Sequence, residues 1–315
     1  MANLNTNTTG SAGMAPELRT FYDRQLIENA KPVLVHTQFG QKRDIPKGEG
    51  KTINFRKFTP LPKATTPLTE GVTPDGRSVV MTQKTVTVAQ YGDYITTSDM
   101  LELTAPDKVI VENNKLLGTQ AGETKDALTA AVLNSGTTVQ YVGGVTSRSA
   151  LSNASVLTVN EIRKAVTTLK NNKARPIDGA FVAIIHPTVA YDLMSDSDWI
   201  DVKNYDPKDL YEGEIGKLYG VRFVETTEAK IFAGAGSGGA NVYSTLILGA
   251  DAYGVTEVTG GGLKMFVKPK GSAGTADPLD QRSTQGWKMV HAAEILTEEF
   301  MCRIESGASL DKKTA

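Results

Sequence analysis

The sequence has 315 residues, enough for one elaborate domain or two, and an ordinary globular composition of 40% hydrophobic, 22% charged and 7% aromatic residues. Its formal net charge of -1 excludes the strong basic field typical of proteins whose main task is to bind nucleic acid. The single cysteine, Cys302, excludes an intramolecular disulfide and fits a reducing compartment such as a bacterial cytoplasm. We expect neither a signal peptide nor a membrane span, because no apolar run of suitable length is present.

The first part of the chain reads as an arm followed by a short helix. Residues 1–15 are mostly Asn, Thr, Gly, Ser and Ala, a composition that buries too little apolar surface to fold alone. A helix is predicted from Pro16 to about Ala30, because its apolar residues recur at helical spacing and proline suits a helix start.

Two strands are predicted around a long loop within residues 51–95. Apolar and polar residues alternate in Thr52–Phe58 and again in Lys84–Tyr91, which is the pattern of strands. The segment between them is broken by Pro60, Pro62, Pro67 and Pro74 and by Gly71 and Gly76. Because a loop this long is unusual inside a compact domain, we expect it to reach toward a neighbouring molecule.

A long amphipathic helix is predicted next, near residues 106–134. Thr104–Asp107 resembles a capping box with proline in the first turn. The helix should end near Asn134–Gly136 and extend about 40 Å. Its apolar positions are Ile110, Leu117, Ala121, Leu128 and Val132.

Residues 158–290 alternate helix and strand. A second capping box, Thr158 to Glu161, opens a predicted helix, and Pro187–Met194 forms another. Phe181–Ile185 is predicted as a strand buried on both faces. The other predicted strands are Val221–Glu225, Tyr243–Leu248, Leu263–Lys268 and Trp287–Arg303.

The glycine run Gly234–Gly239 is the segment that most resembles a nucleotide-binding motif. It satisfies G-x-G-x-x-G, but that fingerprint requires a helix directly afterwards, and Val242–Leu248 has the pattern of a strand. Gly50–Thr52 resembles the end of a phosphate-binding loop, yet position 45 is Ile where that motif needs glycine. We interpret the glycine run as a turn and keep a nucleotide-dependent enzyme built on residues 156–290 as an alternative.

No catalytic, metal or cofactor site is predicted. The histidines do not have metal-ligand spacing, and we expect structural roles for His36, His186 and His291. An acidic cluster lacks the glycine of a calcium loop, so we expect a capping or solvated role for Asp196, Asp198 and Asp201. The densest basic set is interpreted as a solvated face, with weak DNA contact as the alternative; it comprises Lys264, Lys268 and Lys270.

The order of elements resembles that of the major capsid proteins of tailed bacteriophages, which have the Hong Kong 97-type capsid fold and share it with bacterial encapsulins. The stretch Asp277–Lys288, followed by Ala292–Leu296 and Met301–Glu305, resembles the signature of the N4-like branch of these proteins. Lys217–Glu225 and Ile185–Leu193 are also similar to that branch.

This resemblance implies an α+β fold with four regions. Residues 1–50 would be the N-terminal arm and 51–97 an extended β-hairpin loop that lies over an adjacent subunit. Residues 98–155 and 259–315 would form the peripheral domain with its long spine helix. Residues 156–258 would form the axial α/β domain. Candidate intersubunit residues are Pro60, Pro62, Pro67, Pro74, Asp277, Asp280, Arg282 and Trp287.

The resemblance also implies a function without catalysis. Copies of the chain would form hexamers and pentamers that close into an icosahedral head around double-stranded DNA, in the virion, after assembly in the host cytoplasm. A separate scaffolding protein, a portal and a decoration protein are possible partners, and no cofactor is expected. An encapsulin-type bacterial shell is the nearest alternative. We further hypothesise that Gly71, Gly76 and Gly260–Gly262 act as hinges between symmetry environments.

Overall fold

The structure, a computed structural model, describes Leu26 and residues 34–73, 75–104, 109–199, 216–274 and 277–311. The predicted helix 16–30 lies outside these residues except for Leu26, which is helical and buried. The capping residues 105–107, Pro74 and Asp201 also lie outside them. None of the helices within the described ranges is long and apolar enough to cross a membrane.

Four helices and fourteen strands can be named among the described residues. The helices are α1 Asp99–Thr104, α2 Val109–Leu133, α3 Val159–Asn171 and α4 Pro187–Met194. The first strands are β1 Gln41–Lys42, β2 Thr52–Phe58, β3 Met81–Thr87, β4 Ala89–Ser98, β5 Val139–Tyr141, β6 Phe181–Ile185 and β7 Lys217–Leu218. The remaining strands are β8 Val221–Glu225, β9 Ile231–Phe232, β10 Val242–Leu248, β11 Tyr253–Thr256, β12 Lys264–Lys268, β13 Arg282–Ile295 and β14 Met301–Ser306.

These strands form three sheets. The seven-stranded sheet has the order β5-β14-β10-β6-β8-β7, with β9 also paired to β10. The five-stranded sheet has the order β1-β11-β13-β12, and β4 pairs along β13. Strands β2 and β3 form a separate hairpin. Strand β14 therefore lies in the sheet of β10 and β6, although the expected division had grouped residues 301–306 with residues 259–300.

The seven-stranded sheet is buried on both faces, as the pattern of β6 predicts. Side chains of Phe181, Ala183 and Ile185 lie in the core that also contains α3 and α4 residues. Val182 and Ile184 point into a second core, which includes Leu133 at the end of α2 and residues of β11. A strand with apolar residues on both sides suits this position between two layers.

The five-stranded sheet packs on α2, and the two share one hydrophobic core. Leu117 and Ala121 of α2 pack against Met265, Trp287 and Met289 of the sheet, and Leu26 joins the same core. The helix spans 25 residues, about 37 Å, and ends at Leu133 as its pattern indicates.

Two strand predictions were wrong in their extent. The alternating run 84–91 is two strands: β3 pairs with β2, whereas β4 pairs with β13. Trp287–Arg303 is also two strands, because the chain leaves the five-stranded sheet after Ile295, makes a turn at Glu298–Phe300 and enters the seven-stranded sheet. Alternation along the chain shows which side is buried and not which partner is chosen.

The capping box predicted at Thr158 was also wrong. Thr158 makes no side-chain capping bond, and the carboxylate of Glu161 instead accepts from Gln140 and Lys164. The first helical N–H, that of Val159, donates to Oδ2 of Asp196 at 3.0 Å. The expected capping role of Asp196 is therefore confirmed, and it serves a helix remote in sequence.

Candidate functional site

The most exposed part of the described chain is the loop that joins β2 to β3. The hairpin is in register from Thr52 opposite Thr87 to Phe58 opposite Met81, and one further bond links Thr59 N–H to Val80 O. Every described residue from 59 to 80 is exposed, including Pro60, Pro62 and Pro67. The strand predicted at Thr52–Phe58 and the long loop after it are therefore confirmed.

The loop carries large apolar side chains that no other described part of the subunit covers. Leu68 is 77% exposed, and the other exposed members are Leu61, Val72, Val79 and Val80. Several large exposed apolar side chains within one segment are typical of a contact site in soluble proteins. We refer to residues 59–80 as the exposed loop.

The hairpin is attached to the body through one buried side, on which Phe55 is the large side chain and Val86 a smaller one. Phe55 is buried, and it lies over Gly254 of β11, where an added Cβ would come within 2.8 Å of the ring. Two solvent-exposed ion pairs flank it, Lys84–Glu294 at 3.7 Å and Lys57–Glu299 at 3.8 Å. Exposed pairs of this type contribute little, so Phe55 dominates the attachment.

We expect Phe55→Ala to release the hairpin from the body without unfolding the subunit, because the core has few contacts with it. Truncating a buried phenylalanine costs roughly 3–5 kcal/mol, which exceeds what two exposed ion pairs can restore. Hydrogen exchange should become at least tenfold faster in β2 and β3 while β6 and β10 keep their protection. A Phe58→Ala control, at an exposed position on the same strand, should leave exchange unchanged; equal effects would contradict the role of Phe55.

The acidic residues of the C-terminal motif shape a turn before β13. The carboxylate of Asp277 accepts from Arg282 N–H at 2.8 Å and lies 3.7 Å from Arg282 Nε. Asp277 is largely buried, whereas Asp280 is exposed and has a positive φ of 53°. Arg282 is half exposed at the first position of β13. Asp280 and Arg282 thus remain accessible to a neighbouring molecule.

Trp287 does not fit the predicted surface role. Its side chain is only 3% exposed, packs in the core under α2 and donates from Nε1 to Gln120 Oε1 at 3.0 Å. The alternation of β13 turns this residue inward, because Gly286 and Lys288 occupy the outer face. Its place in the motif reflects packing within the subunit.

The glycine-rich segments have local structural roles. Gly234–Gly239 forms a turn that includes the short helical turn Ser237–Gly239, and the strand β10 follows it, so the interpretation as a turn is confirmed. Gly260 has φ of +83°, and Gly261 N–H donates to Val258 O at 2.6 Å, which describes a tight turn. The positive φ of Gly260 is a backbone conformation that favours glycine, so the turn geometry accounts for this residue without a hinge. The hinge hypothesis remains a prediction.

Cys302 and His186 lie in surroundings typical of structural residues. Burial raises the pKa of the Cys302 thiol to about 11, as suits an inert side chain. His186 accepts from Thr188 N–H and lies beside Tyr243. The described residues contain no group of three His, Cys, Asp or Glu placed to hold a metal ion. Two of the three lysines of the basic set, Lys264 and Lys268, are exposed, and the third, Lys270, forms an ion pair with Glu102 at 2.8 Å.

His291 gives the subunit a specific pH dependence. It is buried under α2 with Nε2 3.0 Å from Thr129 Oγ1, and burial, then the nearby Lys125, lower its pKa from 6.5 to about 4. Between these values the unfolded chain binds a proton that the folded chain excludes, so stability falls as the pH decreases. Between about pH 7 and pH 4, the wild type should lose on the order of 3 kcal/mol more than His291→Gln. Urea unfolding of both proteins tests this, and parallel losses would contradict it.

One surface was missed in the sequence. The short helix α1 exposes Met100, Leu101 and Leu103, and Leu279 is exposed on the nearby turn. The signal in the sequence is the segment Asp99–Thr104, in which Met100, Leu101 and Leu103 make up half of a six-residue helix.

Comparisons with known proteins identify the relatives of this fold. Residues 82–304 match the model of a family described as Phage capsid protein. The structure is similar to the capsid protein of cyanophage P-SCSP1u (TM-score 0.66, 17% identity, covering 88% of this chain and 89% of that one). It is also similar to that of Ralstonia phage GP4 (TM-score 0.69, 14% identity, 89% and 90% covered). A virus-like particle from Pyrococcus furiosus is similar at TM-score 0.53 and 13% identity, with 91% and 99% covered. No curated protein sequence matches the chain.

Proposed function

This chain belongs to the phage capsid protein family, and from that premise we propose that its copies form hexamers and pentamers that close into an icosahedral head around double-stranded DNA. It is a structural protein of the virion capsid, and the alternative of a nucleotide-dependent enzyme was wrong. The observation that carries the assembly proposal is the exposed loop, whose apolar side chains the described chain does not cover.

The exposed loop is suited to lie over an adjacent subunit. Its prolines restrict the free backbone, so ordering it on a neighbour costs less conformational entropy than ordering a flexible loop would. Its leucines and valines gain by leaving water, and its unpaired backbone groups are available to another subunit's sheet edge. Pro60, Pro62 and Pro67 are the described residues of this proposed contact, with Pro74 in the same loop. Asp280 and Arg282 are proposed as a second polar contact.

We propose the division into arm, extended loop, peripheral domain and axial domain with boundaries that follow the sheets, so that β1, β4 and β11 belong to the peripheral domain. The peripheral domain comprises α2 and the five-stranded sheet, and the axial domain comprises the seven-stranded sheet with α3 and α4. Strand β14 pairs with β10 over six residues, from Tyr243 opposite Ser306 to Leu248 opposite Met301. We therefore assign residues 301–306 to the axial domain, together with β5, which pairs with β14.

The N4-like branch is a finer proposal, which the motif Asp277–Lys288 supports. Its acidic turn precedes β13 and its inward Trp287 packs β13 against α2, so the motif would mark a particular way of building the peripheral domain. A scaffolding protein, a portal and a decoration protein are proposed partners. Contact with packaged DNA is proposed to be weak at most, because the net charge is close to zero.

Excision of the exposed loop tests the assembly proposal. Replacing residues 60–79 with an Asn-Gly turn would close the hairpin between β2 and β3. We expect a subunit with an unchanged thermal unfolding midpoint that forms no closed particles when expressed with its neighbouring gene products. Negative-stain electron microscopy and light scattering compare it with the full chain. Closed particles of the excised variant would refute the role of the loop, and a full chain that never assembles would refute the proposed function.

The contents of purified particles separate a phage head from the encapsulin-type alternative. The match to a phage capsid family favours the head, whereas the similarity to the Pyrococcus furiosus particle shows only a shared fold. Nuclease-protected DNA in particles from infected cells supports the head, and a protein cargo without DNA supports the alternative.

A further inference from the structure

Helix α1 has its polar and apolar sides reversed. Glu102 faces the body of the subunit, where its carboxylate accepts from Ser283 Oγ at 2.6 Å and pairs with Lys270 Nζ at 2.8 Å. Leu103 on the outer side is 77% exposed, and Met100 and Leu101 are also exposed. A surface helix normally directs its apolar side to the core, so this orientation indicates that the outer side is covered in the assembled protein.

The turn that precedes β13 lies beside α1 and extends the same surface. Asp99 N–H donates to Gln281 O at 3.0 Å, which holds α1 beside the turn that precedes β13. Leu279 in that turn is 76% exposed. We call the surface formed by Met100, Leu101, Leu103 and Leu279 the end patch.

The end patch and the exposed loop lie at opposite ends of β13. The patch adjoins Arg282, the first residue of the strand, whereas the hairpin contacts Glu294 near its last residue. A strand of 14 residues extends roughly 46 Å. The part of the subunit that the structure describes leaves all four residues of the patch exposed.

We infer that the end patch is a second self-assembly contact, occupied by another copy of this chain. The inference rests on the proposed function, since neighbours in a shell are copies of the subunit. One heterologous contact can close a ring, but joining rings into a closed shell requires a different contact on another part of the subunit. The patch provides such a site, and its four large apolar residues without a charged member suit a protein surface better than a polyanion.

A double substitution tests the patch in the full chain. Leu103→Gln with Leu279→Gln should reduce the yield of closed particles at least tenfold and leave rings or free subunits. The thermal unfolding midpoint should not change, because both side chains are exposed. Leu116→Gln, at a 64% exposed leucine on α2 outside the patch, is the matched control and should assemble normally. If the double variant forms particles at the wild-type yield, the inference is overturned, although the proposed function would stand.

Cysteine labelling identifies what covers the patch. The native Cys302 is buried and its pKa is raised, so it should not react. In Leu103→Cys, maleimide should label dissociated subunits rapidly and intact particles at least tenfold more slowly. Equal rates in both states overturn the inference. Slow labelling of subunits that becomes fast after deletion of residues 1–25 assigns the patch to the chain's own arm and also overturns it.

Discussion

Glu305→Gln is expected to lower the free energy of unfolding by about 3 kcal/mol or more, because it removes the buried carboxylate that two arginines share. Glu305 has a fully buried side chain. It accepts from Arg148 Nε at 2.7 Å and Nη2 at 2.6 Å, and from Arg303 Nε at 2.9 Å. The hydrogen bonds to Glu305 raise the pKa of Arg148, and the guanidinium also lies 3.5 Å from the centre of the Phe232 ring.

This cluster joins parts of the chain that are far apart in sequence. Arg303 on β14 also donates to the backbone carbonyl of Asn134, just after α2, and Arg148 lies in the segment before α3. A neutral amide at position 305 would leave the buried guanidinium of Arg303 and the partly buried guanidinium of Arg148 with little compensation. Removing one partner of a buried pair therefore costs far more than the intact pair contributes.

Denaturant unfolding of the free subunit measures the effect. Glu294→Gln is the matched control, because the same substitution there removes only the exposed pair with Lys84 and should cost at most ~1 kcal/mol. Similar losses in the two variants would show that the cluster is solvated and that its burial does not matter for stability.

Asp126→Ala is expected to destabilise the subunit by about 3 kcal/mol or more and to release residues 34–37 from α2. Oδ1 of Asp126 accepts from Val35 N–H at 2.8 Å and His36 N–H at 2.7 Å, and Oδ2 lies 2.6 Å from His36 Nδ1. Both Asp126 and His36 are fully buried. Alanine would leave three buried polar groups without an acceptor.

Asp93→Ala is the control for this substitution. Asp93 also accepts a backbone N–H, from Tyr94, and a side-chain amide, from Gln120, but it is exposed to water. Water can replace these bonds, so the expected loss is below about 1 kcal/mol. Urea unfolding, with proteolysis near residue 34 as a local readout, tests the difference; an intact segment 34–37 in Asp126→Ala would contradict the role of Asp126.

Local pattern was sufficient where burial repeats regularly along the chain. The strands β2, β6 and β8 and the helix α4 follow from alternation, from a continuous apolar run or from a proline start, and the structure has them at the predicted residues. The exposed loop was predictable for a related reason, because its prolines exclude regular structure in any context. These features depend on neighbours only a few residues away.

The segments with which a strand pairs or a side chain makes contact could not be predicted in the same way. The alternation around Val88 indicates strand on both sides, yet the chain changes there from the hairpin to the five-stranded sheet. The cap of α3 comes from Asp196, and no local motif around Thr158 reveals an acceptor so far along the chain. Trp287 stands in a polar sequence motif and was predicted at an intersubunit surface. The register of β13 directs its side chain inward.

The sequence by itself therefore determined the class of protein, most of its strands and helices and the long loop that leaves the subunit. The tertiary structure decided which strands pair, which charges are buried together and that the apolar side of α1 faces outward. The physical reason is that periodicity reports whether a side chain is buried, whereas the identity of its partner depends on segments brought together over a hundred or more residues. The Arg148–Glu305 pair, whose members are 157 positions apart in the sequence, is the clearest case.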